Sequence, residues 1–195
     1  MGIIVTRRLS TSSKCIFVFN AFVALGAVEA QADVKLQETY STYQLRGLSR
    51  QAIHNDLHRV AKRDADGIIE GEVADHWDWN FKFAAIGDSC QVTSDEIVLK
   101  LKILLPTWVD DARADPATRK AWNRYFQELK AHEDGHKAIA LEAAKQVNKL
   151  THGATAPGSC TALERSLNRA AKQIVESSEK AQDQHEASLP LYTLE

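Results

Sequence analysis

The apolar residues of this chain change period partway along it, dividing it into a strand-rich first half and a helical second half. From Val34 to Arg46 the pattern alternates loosely around Thr39, Tyr40, Thr42 and Tyr43, which predicts a strand closed by Gly47. Ser49 is placed to cap a helix reaching about Lys62, with Ile53, Leu57, Val60 and Ala61 on its apolar face. Asp64 to Gly67 reads as a turn. Between Gly71 and Ile86 alternation puts Trp77, Trp79, Phe81 and Phe83 on one face and His76, Asp78, Asn80 and Lys82 on the other, as in a half-buried antiparallel strand. An aromatic row of this kind belongs to a core rather than to a sugar-binding platform. Gly87-Asp88 turns the chain, and Cys90 to Leu105 supplies one or two further strands before Pro106.

Beyond that point the period becomes helical. Asp115-Pro116 marks a start, and apolar positions then recur three and four apart at Trp122, Tyr125, Phe126, Leu129, Ile139, Ala140, Ala143, Val147 and Leu150. Gly153, Pro157 and Gly158 break this helix. Thr161 with Glu164 three residues on has the form of a capping box and opens a last helix that runs to Gln182 or beyond. Strands first and helices second predict an α+β domain: a small antiparallel sheet packed against one long helix and a C-terminal helix.

The long helix carries the chemistry. His132-Glu133-Asp134-Gly135-His136 is an HExxH run, and its two histidines continue the apolar stripe. Residues four apart stack one turn apart on a helix, so both imidazoles can reach one metal while Glu133 lies beside the position of a reacting water. A single histidine on such a face is usually a hydrogen-bonded core residue; two at this spacing around a carboxylate point to zinc. Gly135 costs about 1 kcal/mol relative to alanine in a helix interior, which calls for a packing or access reason, such as close approach of a neighbouring strand.

A catalytic zinc site has three protein ligands and an open position. The metzincin extension needs glycine at position 139 and histidine at 142, where this chain has Ile139 and Glu142. The last helix is the natural donor, because it can pack antiparallel to the HExxH helix. Its stripe, Leu163, Leu167, Ala170, Ile174, Ser178 and Ala181, continues onto His185. His185 is therefore the expected third ligand, with Asp183 next and Glu164 a more distant candidate. His76, His152 and Tyr192 are candidates for stabilising an oxyanion.

Composition adds a compartment and removes some partners. Arg7, Arg8 and Lys14 precede an apolar stretch from Cys15 to Val28, and Ala30-Gln31-Ala32 is a small-x-small cleavage site, so residues 1–32 read as a signal peptide and 33–195 as a single domain. The apolar stretch is short and interrupted by Asn20, so stable membrane insertion after cleavage is not expected. Loss of three positive charges and Glu29 takes the net charge from −2 to about −4, leaving no basic stripe for nucleic acid. A periplasmic or secreted location makes Cys90 and Cys160 a candidate disulfide, in preference to two buried thiols or zinc ligands, since no Cys-x-x-Cys is present.

The order of these features resembles a known family. A secretion signal, a Trp-rich strand ahead of Cys90, Leu105-Pro106-Thr107-Trp108, Trp122 before the HExxH, Cys160 and a terminal Asp/His segment are similar to a bacterial domain-of-unknown-function family described as predicted secreted zinc-dependent proteases. Members tend to end in an Asp-x-x-Thr-x-His-Gly type segment, where this chain reads Asp183-Gln184-His185-Glu186. The resemblance implies a zincin-like fold and peptidase chemistry on a peptide or protein substrate. In that chemistry Zn2+ activates water for attack on a carbonyl and Glu133 is the general base that passes the proton to the leaving amine. Two other readings share the motif: a non-peptide zinc amidase, and a non-catalytic envelope binding domain that offers a sheet edge to a partner.

Overall fold

A computed structural model describes residues 34–64, 67–188 and 194. The expected signal segment, residues 1–32, lies outside the described residues, as does Tyr192. In chain order the elements are β1 (Lys35–Leu45), α1 (Arg50–Val60), β2 (Lys62–Arg63), β3 (Ile68–Ile69), β4 (Glu72–Ile86), β5 (Ser89–Trp108), a 3-10 turn at Asp111–Arg113, α2 (Pro116–Thr151), β6 (Thr155–Pro157) and α3 (Cys160–Ser188). Among the described residues the architecture is α+β, with three α-helices, a mixed sheet and a two-stranded β2–β3 pair.

The sheet runs β1-β5-β4, with β6 added beside the start of β5. β4 and β5 form a long antiparallel hairpin, but β1 pairs parallel to β5, from Lys35 against Val98 to Leu45 against Trp108. This corrects the expectation of an antiparallel sheet. The reason lies in which strand takes the centre. β5 has the strongest apolar alternation, burying Ile97, Leu99, Leu101 and Ile103 on one face, whereas the polar β1 suits an edge. Because β1 runs opposite to β4 and sits on the far side of β5, it is parallel to β5.

Helix α2 begins where its sequence says. The Asp115 carboxylate accepts from the backbone N–H of Ala117 at 2.8 Å and of Thr118 at 3.0 Å, with Pro116 next, where its missing N–H costs nothing. Helix α3 begins earlier than the Thr161 capping box suggests. The Ser159 hydroxyl accepts from the Ala162 N–H at 3.2 Å, so Ser159 fills that role and Cys160 is already helical.

The two long helices cover one face of the sheet and run antiparallel to each other. Leu163 and Leu167 of α3 pack near Leu150 at the end of α2, while Gln182 and Glu186 reach back to the middle of α2. Ala140 and Ala144 of α2 and Ala171 of α3 are fully buried, and their small side chains let both backbones approach the Ile97–Ile103 row. Trp77, Trp79 and Phe81 are half-buried against this core, as expected, and the Trp79 indole donates to Asn168 of α3 at 2.8 Å. A second cluster joins Leu45, Ile53, Leu57, Trp108, Trp122, Tyr125 and Leu129, packing α1 and the start of α2 on the end of the sheet.

The Cys90–Cys160 disulfide is formed, with Cα atoms 5.0 Å apart, and it fastens the start of β5 to the start of α3. Among the described residues no helix is long and apolar enough to cross a membrane.

Candidate metal centre

The middle of α2 is where the buried stripe becomes polar. Tyr125 and Leu129 precede it and Ala140, Ala143 and Val147 follow, and between them His132 and Glu133 are both buried, at 8% and 4% exposure. His136 stands one turn beyond His132. Both histidines turn Nε2 to the same point: the two atoms are 3.0 Å apart, with the rings edge to face. A cleft of about 390 Å³ opens over them, floored by Leu129, His132, Glu133 and His136 and walled by the 67–73 segment and Glu186.

Helix α3 supplies the second layer. Gln182 clamps His136 from both ends: His136 Nδ1–H donates to Gln182 Oε1 at 2.6 Å, and Gln182 Nε2 donates to the His136 carbonyl at 3.1 Å. A proton held on Nδ1 leaves Nε2 with its lone pair directed into the cleft, the tautomer a metal ligand needs. His185 lies with its ring stacked on His132 at 4.9 Å and edge-on to His136 at 4.7 Å. Its Nε2–H donates to the His132 carbonyl at 3.0 Å. His132, His136 and His185 thus form one cluster whose potential ligand atoms lie within 4.8 Å of one another.

Two glycines make room for this arrangement. A Cβ on Gly135 would stand 2.3 Å from His185 Nε2, so the helix-interior glycine answers to the His185 ring of α3 rather than to a neighbouring strand. A Cβ on Gly71 would stand 2.5 Å from Glu133 Oε1; the carboxylate rests directly on the backbone that leads into β4.

Burial first, then the nearby carboxylates of Glu186, Glu72 and Asp134, push the Glu133 carboxyl up to about 7. Burial, followed by the neighbouring His136, holds His132 below the usual imidazole range. Converging carboxylates and imidazoles around one cleft form a donor set suited to a divalent cation, which would relieve the charge crowding on Glu133.

Other candidates fall elsewhere. Asp183 is exposed on the outer side of α3, and Glu164 sits just past the first turn of α3, at the disulfide end. His76 is on the solvent face of β4, 3.4 Å from Asp78. His152 caps α2 and pairs with Asp95 at 3.1 Å, where Asp95 also accepts from the buried Thr151 hydroxyl at 2.9 Å. Sequence reasoning missed Gln182, Glu186 and Gly71. The first two had a signal: they stand four and eight residues beyond Ser178, which is buried on the inner face of α3.

The fold and cleft define an α+β domain with a histidine–glutamate centre between its two long helices. The chain belongs to the family described as Bacterial protein of unknown function (DUF922), whose model matches residues 40–188. Comparison with curated proteins and with solved structures finds no match.

Proposed function

We propose that this chain is a zincin-like, zinc-dependent peptidase acting in the periplasm or outside the cell. The observation that carries the reading is the convergence of His132 Nε2 and His136 Nε2, 3.0 Å apart, in a cleft that also receives the buried Glu133 carboxylate. Zn2+ in such a site supplies Lewis acidity toward a carbonyl and lowers the pKa of water from about 15.7 to near 7. His132 and His136 hold the ion, and α3 contributes the third protein ligand.

Glu133 is the general base. Its Oε1 is confined by Gly71, and the low polarity of its surroundings keeps its basicity near the working pH, where proton transfer in both directions is efficient. It takes a proton from the attacking water and returns it to the departing amine. Gln182 keeps the His136 imidazole in its ligating tautomer throughout.

Peptide is favoured over a small amide by the wall of the cleft. Gly71, Glu72 and Val73 lead into β4, an edge strand with β5 on one side and, among the described residues, no strand paired on the other. An extended peptide can add to such an edge with its scissile bond over the histidines. The Cys90–Cys160 bridge fits an oxidising compartment.

The test is zinc content and turnover of an unfolded protein substrate by the full chain. Wild type is expected to bind one zinc and cleave; His136→Ala loses the metal, and Glu133→Gln keeps the metal but loses turnover by orders of magnitude. Equal cleavage by Glu133→Gln and wild type would sink the mechanism. Zinc binding without hydrolysis of peptides would turn the reading toward the amidase or the binding domain.

A further inference from the structure

The sequence stripe on α3 points to His185 as third ligand, yet another α3 side chain, Glu186, stands within hydrogen-bond distance of both paired nitrogens. Glu186 Oε2 is 3.0 Å from His132 Nε2 and 3.2 Å from His136 Nε2, and those nitrogens are 3.0 Å from each other. Three donor atoms thus form a nearly equilateral triangle. Ligand atoms around tetrahedral zinc, each about 2.0–2.1 Å from the ion, are separated by about 3.3 Å, so the triangle has nearly the size of one face of that polyhedron.

His185 is engaged otherwise. Its Nε2–H is given to the backbone carbonyl of His132, and its ring is stacked flat on the His132 imidazole over Gly135. A ring in this position fixes the orientation of His132 and the spacing of α3 from α2, the task Gln182 performs for His136.

We propose that Glu186 is the third metal ligand, giving a His132, His136, Glu186 set, and that His185 and Gln182 are positioning residues behind the two histidines. The proposal rests on the zinc reading above and specifies its ligands. The Glu186 side chain is 70% exposed, so it closes the solvent side of the pair while leaving the Glu133 side of the cleft for water and substrate.

X-ray absorption spectroscopy of the zinc-loaded full chain tests the assignment without any substitution, because the outer-shell scattering counts imidazoles. Two imidazoles with oxygen completing the shell is the expected result; three imidazoles would overturn the assignment. Zinc affinity, measured by competition with a chromophoric chelator, gives the second readout. Glu186→Ala is expected to weaken zinc by more than about 100-fold, whereas Gln182→Leu and His185→Asn weaken it by about 10-fold with the first shell unchanged. A His185→Asn protein that loses one imidazole from the zinc shell, or a Glu186→Ala protein with wild-type affinity, would also overturn it. Wild type that takes up no zinc at all would overturn the zinc reading itself and this assignment with it, an outcome distinct from zinc bound through three imidazoles.

Discussion

On the proposed reading Glu133 acts from a position that Gly71, just ahead of β4, keeps open. The absence of a side chain at Gly71 lets the carboxylate lie against the backbone, and a methyl group there would stand 2.5 Å from Oε1. Gly71→Ala should therefore push the base out of place while leaving both histidines untouched. Turnover is expected to fall by about 100-fold, the usual consequence of an ångström of misplacement, with zinc content unchanged. Zinc loss in this variant would show that Gly71 supports the whole centre rather than the base alone. Gly135 gives the companion case. Alanine is worth about 1 kcal/mol over glycine in a helix interior, but here the added Cβ meets the His185 ring tip at 2.3 Å, and that ring is held between two other imidazoles. A net loss of about 1–3 kcal/mol in urea unfolding is expected, and a gain would mean that α3 yields easily. At this scale the HExxH was legible because its chemistry is local in sequence. Gly71 was not, because its partner is sixty-two positions away and nothing in its own neighbourhood marks it. His185 was found by periodicity, and Glu186 was missed because a carboxylate two turns beyond Ser178 reads as an exposed end of the helix rather than as part of the stripe.

The helices were readable as elements because their ends carry their own signals. Asp115 and Pro116 fix the start of α2, and glycines follow its end. α3 was misplaced by two positions at its start, since Ser159 and Thr161 both have capping side chains and only the geometry next to Cys160 decides between them. The inner stripe itself stands, with Leu163, Leu167 and Ser178 buried, except that Ala171 rather than Ala170 is fully buried. The parallel pairing of β1 with β5 was beyond the reach of local pattern, since period-two alternation states which face is buried and not which strand lies alongside. What α2 and α3 share is small residues at the sheet. Ala144 is 0% exposed in the core cluster that also holds Ile97, Leu99 and Val147. Ala144→Leu is expected to destabilise the domain by about 1–3 kcal/mol through overpacking, read as a lower urea midpoint. Because the helix spacing also sets where Gln182 and Glu186 meet the histidines, the same variant should bind zinc more weakly even under conditions where it is fully folded.

Across the whole molecule α3 is tied down at both ends, and by different chemistry. At its start Cys160 is bonded to Cys90; one helix length away its last turns meet α2 through Gln182, His185 and Glu186. The bridge spans 70 positions, so in the chain-entropy model it contributes about 4 kcal/mol by restricting the unfolded chain. Zinc, on the proposed reading, contributes through the native state instead: at a free concentration a thousand times its Kd the gain is about 4 kcal/mol. The two ties are far apart, share no side chain and act on opposite sides of the folding equilibrium, which is the condition under which stability changes add. Four unfolding curves of the full chain test this: oxidised and reduced, each with zinc and with a chelator. Reduction and metal removal should each lower the urea midpoint, and the loss from both together should match the sum of the separate losses within about 0.5 kcal/mol. A combined loss well above that sum would mean that the disulfide holds the ligands of α3 in register, so that the bridge belongs to the metal centre as well as to the fold. A reduced protein that remains folded but no longer responds to zinc would make the same point more strongly.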